Sequence, residues 1–161
     1  MSMAMHSSAF ANGQPIPVKY TGEGKDASPP LSWEHVPQTA RQLVLICDDP
    51  DAPTPEPWVH WLIYNLPPET TSLPEQIPRS PQITRPVAAT QGCNSWPAGK
   101  NIGYLGPMPP PGHGVHHYHF KLYALEKAFQ LPPGINKSQL LEEISGHIVA
   151  TAELVGLYER K

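Results

Sequence analysis

The sequence predicts a mostly β fold: an antiparallel sandwich with Greek-key-like connections and one short helix near the C-terminus. Three observations carry that prediction. The apolar residues fall in short bursts such as LVLIC and WLIYNL rather than in long helical stripes. Among the bursts stand 22 prolines in 161 residues, against an average usage of about 5%. Each proline inside a helix would remove a hydrogen bond and clash with the preceding turn. The single segment with helical capping and spacing comes late, after Asn136.

Taken in order, residues 12–33 are turn-rich, and Ser28-Pro29-Pro30-Leu31-Ser32-Trp33 is read as extended because residues before proline avoid the α region. Residues 42–48 form a short apolar run bounded by turn residues, which fits a strand buried on both faces. Residues 58–66 make a second central strand, with Trp58 and His60 on one face by parity and Trp61 on the other. Residues 66–86 hold six prolines and are read as a meandering connection. In the third strand, residues 116–125, alternation places His116, Tyr118, Phe120 and Leu122 on one face and His117, His119 and Lys121 on the other. Asn136 is a good N-cap with Gln139 as its capping-box partner. The helix it starts should reach about Gly146, with Leu140, Leu141 and Ile144 toward the core. Residues 152–160 are read as a last strand, since Val155, Gly156 and Tyr158 are poor helix formers. No repeat, low-complexity tract or linker interrupts the chain, so residues 1–161 are expected to form one domain.

Composition narrows the function. The net charge is −3, and no basic stripe with interleaved aromatics offers a nucleic-acid surface. Protonating all eight histidines takes that charge from −3 to +5, so the balance is sensitive to acid. The opening MSMAMHSSAF lacks the basic region and apolar run of a signal peptide. Nothing approaches the roughly 18 apolar residues of a membrane-spanning helix. Cys47 and Cys93 make no disulfide framework, and Cys47, inside LVLIC, is expected to be a buried, inert thiol. The cytoplasm is the expected location.

Three segments concentrate reactive side chains. Asp48-Asp49-Pro50-Asp51-Ala52-Pro53 follows the first buried strand, and turn chemistry explains one of its aspartates better than three. Trp58-Val59-His60-Trp61 brings an imidazole and an indole to one face, although a lone strand histidine is ordinarily structural. In residues 106–118, GPMPPPGHGVHHY, the prolines stiffen a loop while the glycines let backbone N–H groups approach a ligand. There His113, His117 and His119 are read as solvated, and the His116/Tyr118 pair as the site. Together the segments can build a pocket. Asp49 and Asp51 would repel an anion unless the histidines are protonated or the carboxylates are engaged elsewhere. A zwitterion avoids the conflict: its phosphate meets His60, His116, Tyr118 and loop N–H groups, and its ammonium meets a carboxylate or the face of Trp58. Imidazole has a reference pKa near 6.5, so on this account phosphate affinity should fall between roughly pH 6 and 8. Two other chemistries use the same residues. A hydrolase could take an Asp/His pair as base and orienting group, but no G-x-S-x-G elbow or other recognisable nucleophile accompanies it. Two histidines and a carboxylate could also form a facial metal triad. The binding reading leads, with no catalytic residue, cofactor or resident metal expected.

At these same residues the sequence resembles the phosphatidylethanolamine-binding proteins, the family that includes the Raf kinase inhibitor protein. The resemblance rests on DPDAP at Asp49 to Pro53, the W-x-H of Trp58 to His60, the glycine- and proline-rich run from Gly106 to Tyr118, and FKLYAL from Phe120. Tyr20-Thr21, Gly24, Asp26, Ser28 to Trp33, the VHW form of the second motif, Gly92 and Asn94 resemble the bacterial and archaeal branch. The resemblance implies a β-sandwich of a large and a small antiparallel sheet, with one or two short helices toward the C-terminus and a shallow pocket for anions such as phosphate. By position it carries over Asp49, Asp51, Pro53, Trp58, His60, Met108, Pro110, His116 and Tyr118 as ligand-binding residues. Met108 stands where other members often carry a smaller residue, which should narrow the pocket mouth. It further implies a phospholipid head group such as phosphoethanolamine as ligand, a regulatory, kinase-modulating role as in eukaryotic members, and a homodimer as in bacterial ones.

Overall fold

Every side chain from Gln42 to Asp49 is buried, and a strand with no exposed position must be covered on both faces. That strand sits at the centre of the larger of two sheets. The computed structural model describes all 161 residues. Its elements are β1 (Ala4–His6), β2 (Gln14–Pro15), β3 (Leu31–Glu34), β4 (Gln42–Asp49), β5 (Trp58–Leu66), β6 (Ser72–Leu73), β7 (Gln82–Ile83), β8 (Ala89–Gln91), β9 (His116–Leu125), α1 (Lys137–Ile144) and β10 (Ile148–Tyr158). A 3-10 turn occupies Val18–Tyr20. The larger sheet runs β2-β10-β9-β4-β5-β8-β7 and the smaller β1-β3-β6. Every pairing is antiparallel except the short β2–β10 contact at one edge. The expected mostly β, two-sheet architecture is therefore present.

The core lies between the sheets, where Met5, Leu31, Trp33 and Leu73 of the smaller one join Leu43, Leu45, Trp61, Phe120 and Leu122 of the larger one in a single buried cluster. The other face of β4 and β5 is covered by α1, with Val44, Ile46 and Leu62 against Leu140 and Ile144. The helix starts as the sequence predicts. The Asn136 side chain accepts from the Gln139 N–H at 2.8 Å, and the Gln139 side chain accepts from the Asn136 N–H at 2.9 Å. Eight residues would be a marginal helix alone; the burial of Leu140 and Ile144 holds it in place.

Three differences from the sequence expectation have physical causes. β10 begins at Ile148 rather than at Ala152, because Ile148 and Ala150 pair across a bulge with Leu125 and Ala124, so the length of β9 sets it. The connection after Leu66 contributes the two-residue strands β6 and β7 to the sheet edges. The third concerns parity in β5. Trp61 lies opposite Cys47 and Val59 opposite Asp48, so His60 is the extra residue of a β-bulge. Trp61 therefore does not turn to the face away from His60. It joins the core between the sheets with Cys47, while Val59 turns to the helix side, and its indole N–H donates to Gln91 Oε1 at 2.8 Å.

Candidate functional site

β4 ends at Asp49, β5 begins at Trp58 directly opposite, and β9 begins at His116 on the other side of β4. Three strand ends thus meet, and a cavity of about 270 Å³ opens over them. It is lined by Asp49, Ala52, Pro53, Thr54, Trp58, His60, Trp96, Met108, Pro109, Pro110, His116 and Tyr118. The wall made by residues 106–110 is tied down from below. The Gly106 N–H donates to Asp26 Oδ1 at 2.6 Å, and a Cβ at Gly106 would stand 2.1 Å from the Tyr20 carbonyl oxygen, so only glycine fits. Next to it the Gly22 N–H donates to the Pro107 carbonyl at 2.8 Å, and the Met108 side chain lies across Gly22.

The β5 bulge aims His60 into this space, and its ring stands edge-on between Trp96 and Tyr118, each 5.1 Å away. Nδ1 lies 2.7 Å from the Leu105 carbonyl oxygen, which can only accept, so Nδ1 carries the proton and Nε2 is bare in the neutral ring. Burial dominates the electrostatics and pushes the pKa down to about 4, against the opposing pull of the Leu105 carbonyl and Asp49. His60 is therefore neutral at pH 6 to 8 and offers a lone pair. The sequence reading gave it a positive charge for an anion in that range, and its environment rules that out.

His116 is 1% exposed. Its Nδ1 lies 2.6 Å from Asp49 Oδ2, while Asp49 Oδ1 accepts from the Asp51 N–H at 2.8 Å. Both carboxylate oxygens are thus used in orienting an imidazole and closing a turn. Burial, reinforced by the Asp49 charge, raises the Tyr118 hydroxyl far above its usual range, so it stays protonated as a donor on the cavity wall.

Of the residues expected to bind a ligand, all but Asp51 line the cavity. Asp51 turns outward, where Oδ2 accepts from the His117 N–H at 2.8 Å and sits 2.7 Å from His117 Nδ1. Burial works against its charge, but the His117 ring and backbone outweigh that and hold its carboxyl below the usual range. The reason lies in β9: alternation sends His117 away from the cavity, and Asp51 follows it. Ala52, Thr54, Trp96 and Pro109 line the cavity beyond the expected set, and His113 adjoins it. Trp96 stands 5.4 Å from Trp58, edge to face, fixed by its N–H donating to Asn94 Oδ1 at 2.9 Å. His113, expected to be solvated, has Nδ1 2.6 Å from His116 Nε2; its only sequence signal was a position between two glycines, three residues before His116.

The alternative chemistries find little to use here. No group of three or more His, Cys, Asp or Glu side chains is placed to hold a metal ion. Burial pushes the Cys47 thiol well up, with Asp48 and Asp49 adding to it, which disfavours Cys47 as a thiolate nucleophile. No helix is long and apolar enough to cross a membrane.

Known proteins share this fold. The family model described as phosphatidylethanolamine-binding protein matches residues 6–159. A UPF0098 protein of Pyrococcus horikoshii is 48% identical over 155 residues, 96% of this chain and 76% of that one. One from Methanothermobacter thermautotrophicus is 45% identical over 158 residues, 98% of this chain and 99% of its own. Among solved structures, the phosphatidylethanolamine-binding protein homologue CT736 of Chlamydia trachomatis superposes with a TM-score of 0.86 at 42% identity, covering 99% of both chains. YbcL of E. coli, described as a member of the mammalian PEBP family, superposes with a TM-score of 0.90 at 30% identity over the whole of both. None of these relatives carries an enzymatic name. A family match along nearly the whole sequence, on the same two-sheet fold, makes this chain a member of the phosphatidylethanolamine-binding protein family and a binder of small ligands.

Proposed function

We propose that the cavity binds a small phosphate-bearing molecule of the phosphoethanolamine type, and that the chain is a non-catalytic, regulatory binding protein of the cytoplasm. The observation that carries the reading is the pairing of a protonated Tyr118 hydroxyl with an Asp49-oriented His116 on one wall, opposite the indoles of Trp58 and Trp96. Phosphoryl oxygens accept from the hydroxyl and from loop N–H groups. The ammonium rests on the indole faces, since Asp49 has no free oxygen to give it. The bare Nε2 of His60 accepts from the ammonium. Calorimetry should register binding of phosphoethanolamine, and more weakly of inorganic phosphate. Tyr118→Phe should weaken both by about tenfold or more, the loss of one hydrogen bond to a charged group. If the native protein binds neither compound at millimolar concentration, the reading is wrong.

The homodimer that the family resemblance implies belongs to the same proposal. Light scattering at micromolar protein should return twice the chain mass, and a value near 17.7 kDa removes it.

A further inference from the structure

His116 has two ring nitrogens, and neither is free. Nδ1 is held by Asp49 Oδ2 at 2.6 Å, and Nε2 faces His113 Nδ1 at 2.6 Å. The Asp49 carboxylate can only accept, so Nδ1 must carry a proton, and Nε2 is the only hydrogen-bonding edge His116 can turn toward a ligand. We propose that His113 is an internal competitor for this site: its imidazole occupies the Nε2 edge of His116, and an arriving phosphoryl oxygen has to displace it. The inference rests on the phosphoryl-ligand reading above.

The two rings are held very differently. His116 is buried at the start of β9 and fixed by a buried carboxylate, so it stays. His113 is exposed, in a loop between Gly112 at φ +74° and Gly114 at φ +93°. A side chain added at either glycine would meet nothing within 4 Å, so there is open space around the turn. The loop backbone is anchored, with the His113 N–H donating to the Pro110 carbonyl at 3.1 Å and the Gly112 N–H to the Arg160 carbonyl at 2.9 Å. The side chain can therefore rotate away without opening the core or unravelling the loop.

The exchange is favourable in hydrogen-bond terms. Two imidazole nitrogens at this separation share one proton. On leaving, His113 trades that bond for one to water and gives up the net worth of one hydrogen bond, up to about tenfold in affinity. His116 trades a neutral partner for a charged one, and charge-assisted bonds are the stronger kind. A phosphate monoester monoanion suits either protonation state of the pair, since it offers acceptor oxygens to a protonated Nε2 and a P–O–H donor to a bare one. The cavity does not have to recruit a new group to bind; it has to uncover one that His113 already covers.

The test is calorimetric titration of phosphoethanolamine and inorganic phosphate into the native protein and His113→Ala, with urea denaturation to confirm that both are folded. His113→Ala should bind about tenfold more tightly, the scale expected when a hydrogen bond no longer has to be broken. In the native protein, nitrogen NMR at saturating phosphoethanolamine should show the His113 ring taking on the signature of a solvated imidazole, while the His116 Nδ1–H to Asp49 persists. If the native protein binds but His113→Ala gains nothing, or binds more weakly, His113 is not a competitor. An unchanged His113 ring at saturation has the same meaning. Binding by neither protein instead overturns the phosphoryl reading, and this inference with it.

Discussion

Asp49→Ala should lose roughly 3–5 kcal/mol of folding stability, the range found when one partner of a buried polar pair is deleted and the other remains. The side chains of Asp49 and His116 are 4% and 1% exposed, so water cannot replace what is lost. Alanine would strand the His116 Nδ1–H and the Asp51 N–H together. The second of these also closes the turn that carries Pro53 to the cavity wall, so the effect should extend from stability to binding. Asp49→Asn separates charge from hydrogen bonding. One amide oxygen can serve the Asp51 N–H, which always donates, but the amide NH₂ then faces His116 Nδ1 and requires it to be bare. The neutral His116 ring should therefore carry its proton on Nε2, and nitrogen NMR reads that directly. The stability loss should be smaller, about 0.5–1.5 kcal/mol, because every polar atom keeps a partner and only the charge assistance is lost. Urea denaturation measures both variants. A loss below about 1 kcal/mol for Asp49→Ala would mean that the pair is not the framework of the site.

The parts of this site that were legible in the sequence are those governed by local periodicity. Alternation in β9 assigns His116 and Tyr118 to one face and His117 to the other, and the buried run of β4 delivers Asp49 at its end. The capping box of α1 is legible for the same reason, since its partners lie three residues apart. What escaped depends on long-range register or on side-chain pairing across the fold. A bulge in β5 leaves no mark in the string WVHWLIYNL, because the extra residue is defined by the partner strand; parity therefore put Trp61 on the wrong face. The DPD segment presents Asp49 and Asp51 as equals, and only the positions of His116 and His117 show that one faces the cavity and the other solvent. Trp96 lies in a Gly- and Pro-rich connection, and is brought to His60 by contacts among Val59, Ser95 and Asn94 that no local pattern encodes. β1 was missed for a similar reason: three residues are too few for a pattern, and their register comes from Trp33 and its neighbours in β3.

Acid should unfold this protein earlier than its carboxylate–histidine pairs suggest, and His60 should be the main reason. In an unfolded chain imidazole titrates near 6.5, whereas in the folded protein His60 does so at about 4, chiefly because burial opposes its charge. Between those values the unfolded chain binds a proton that the folded chain refuses, so stability rises with pH across the window and is complete above 6.5. As pH falls from 6.5 to 4 the contribution is lost, and a shift of this size corresponds to about 3 kcal/mol. Urea denaturation at intervals from pH 4 to 7 measures it in the native protein and in His60→Asn, whose amide can still donate to the Leu105 carbonyl but does not titrate. Both proteins keep the remaining histidines, including His117 on Asp51 and His6 on Glu34, so their contributions cancel in the difference. The stability of the native protein minus that of the variant should fall by about 3 kcal/mol as pH drops from 6.5 to 4. Parallel curves would show that His60 is not held neutral by burial. The same neutrality bears on function: the His60 ring signal should not titrate between pH 5 and 8, and any change of phosphate affinity in that range has to come from another group.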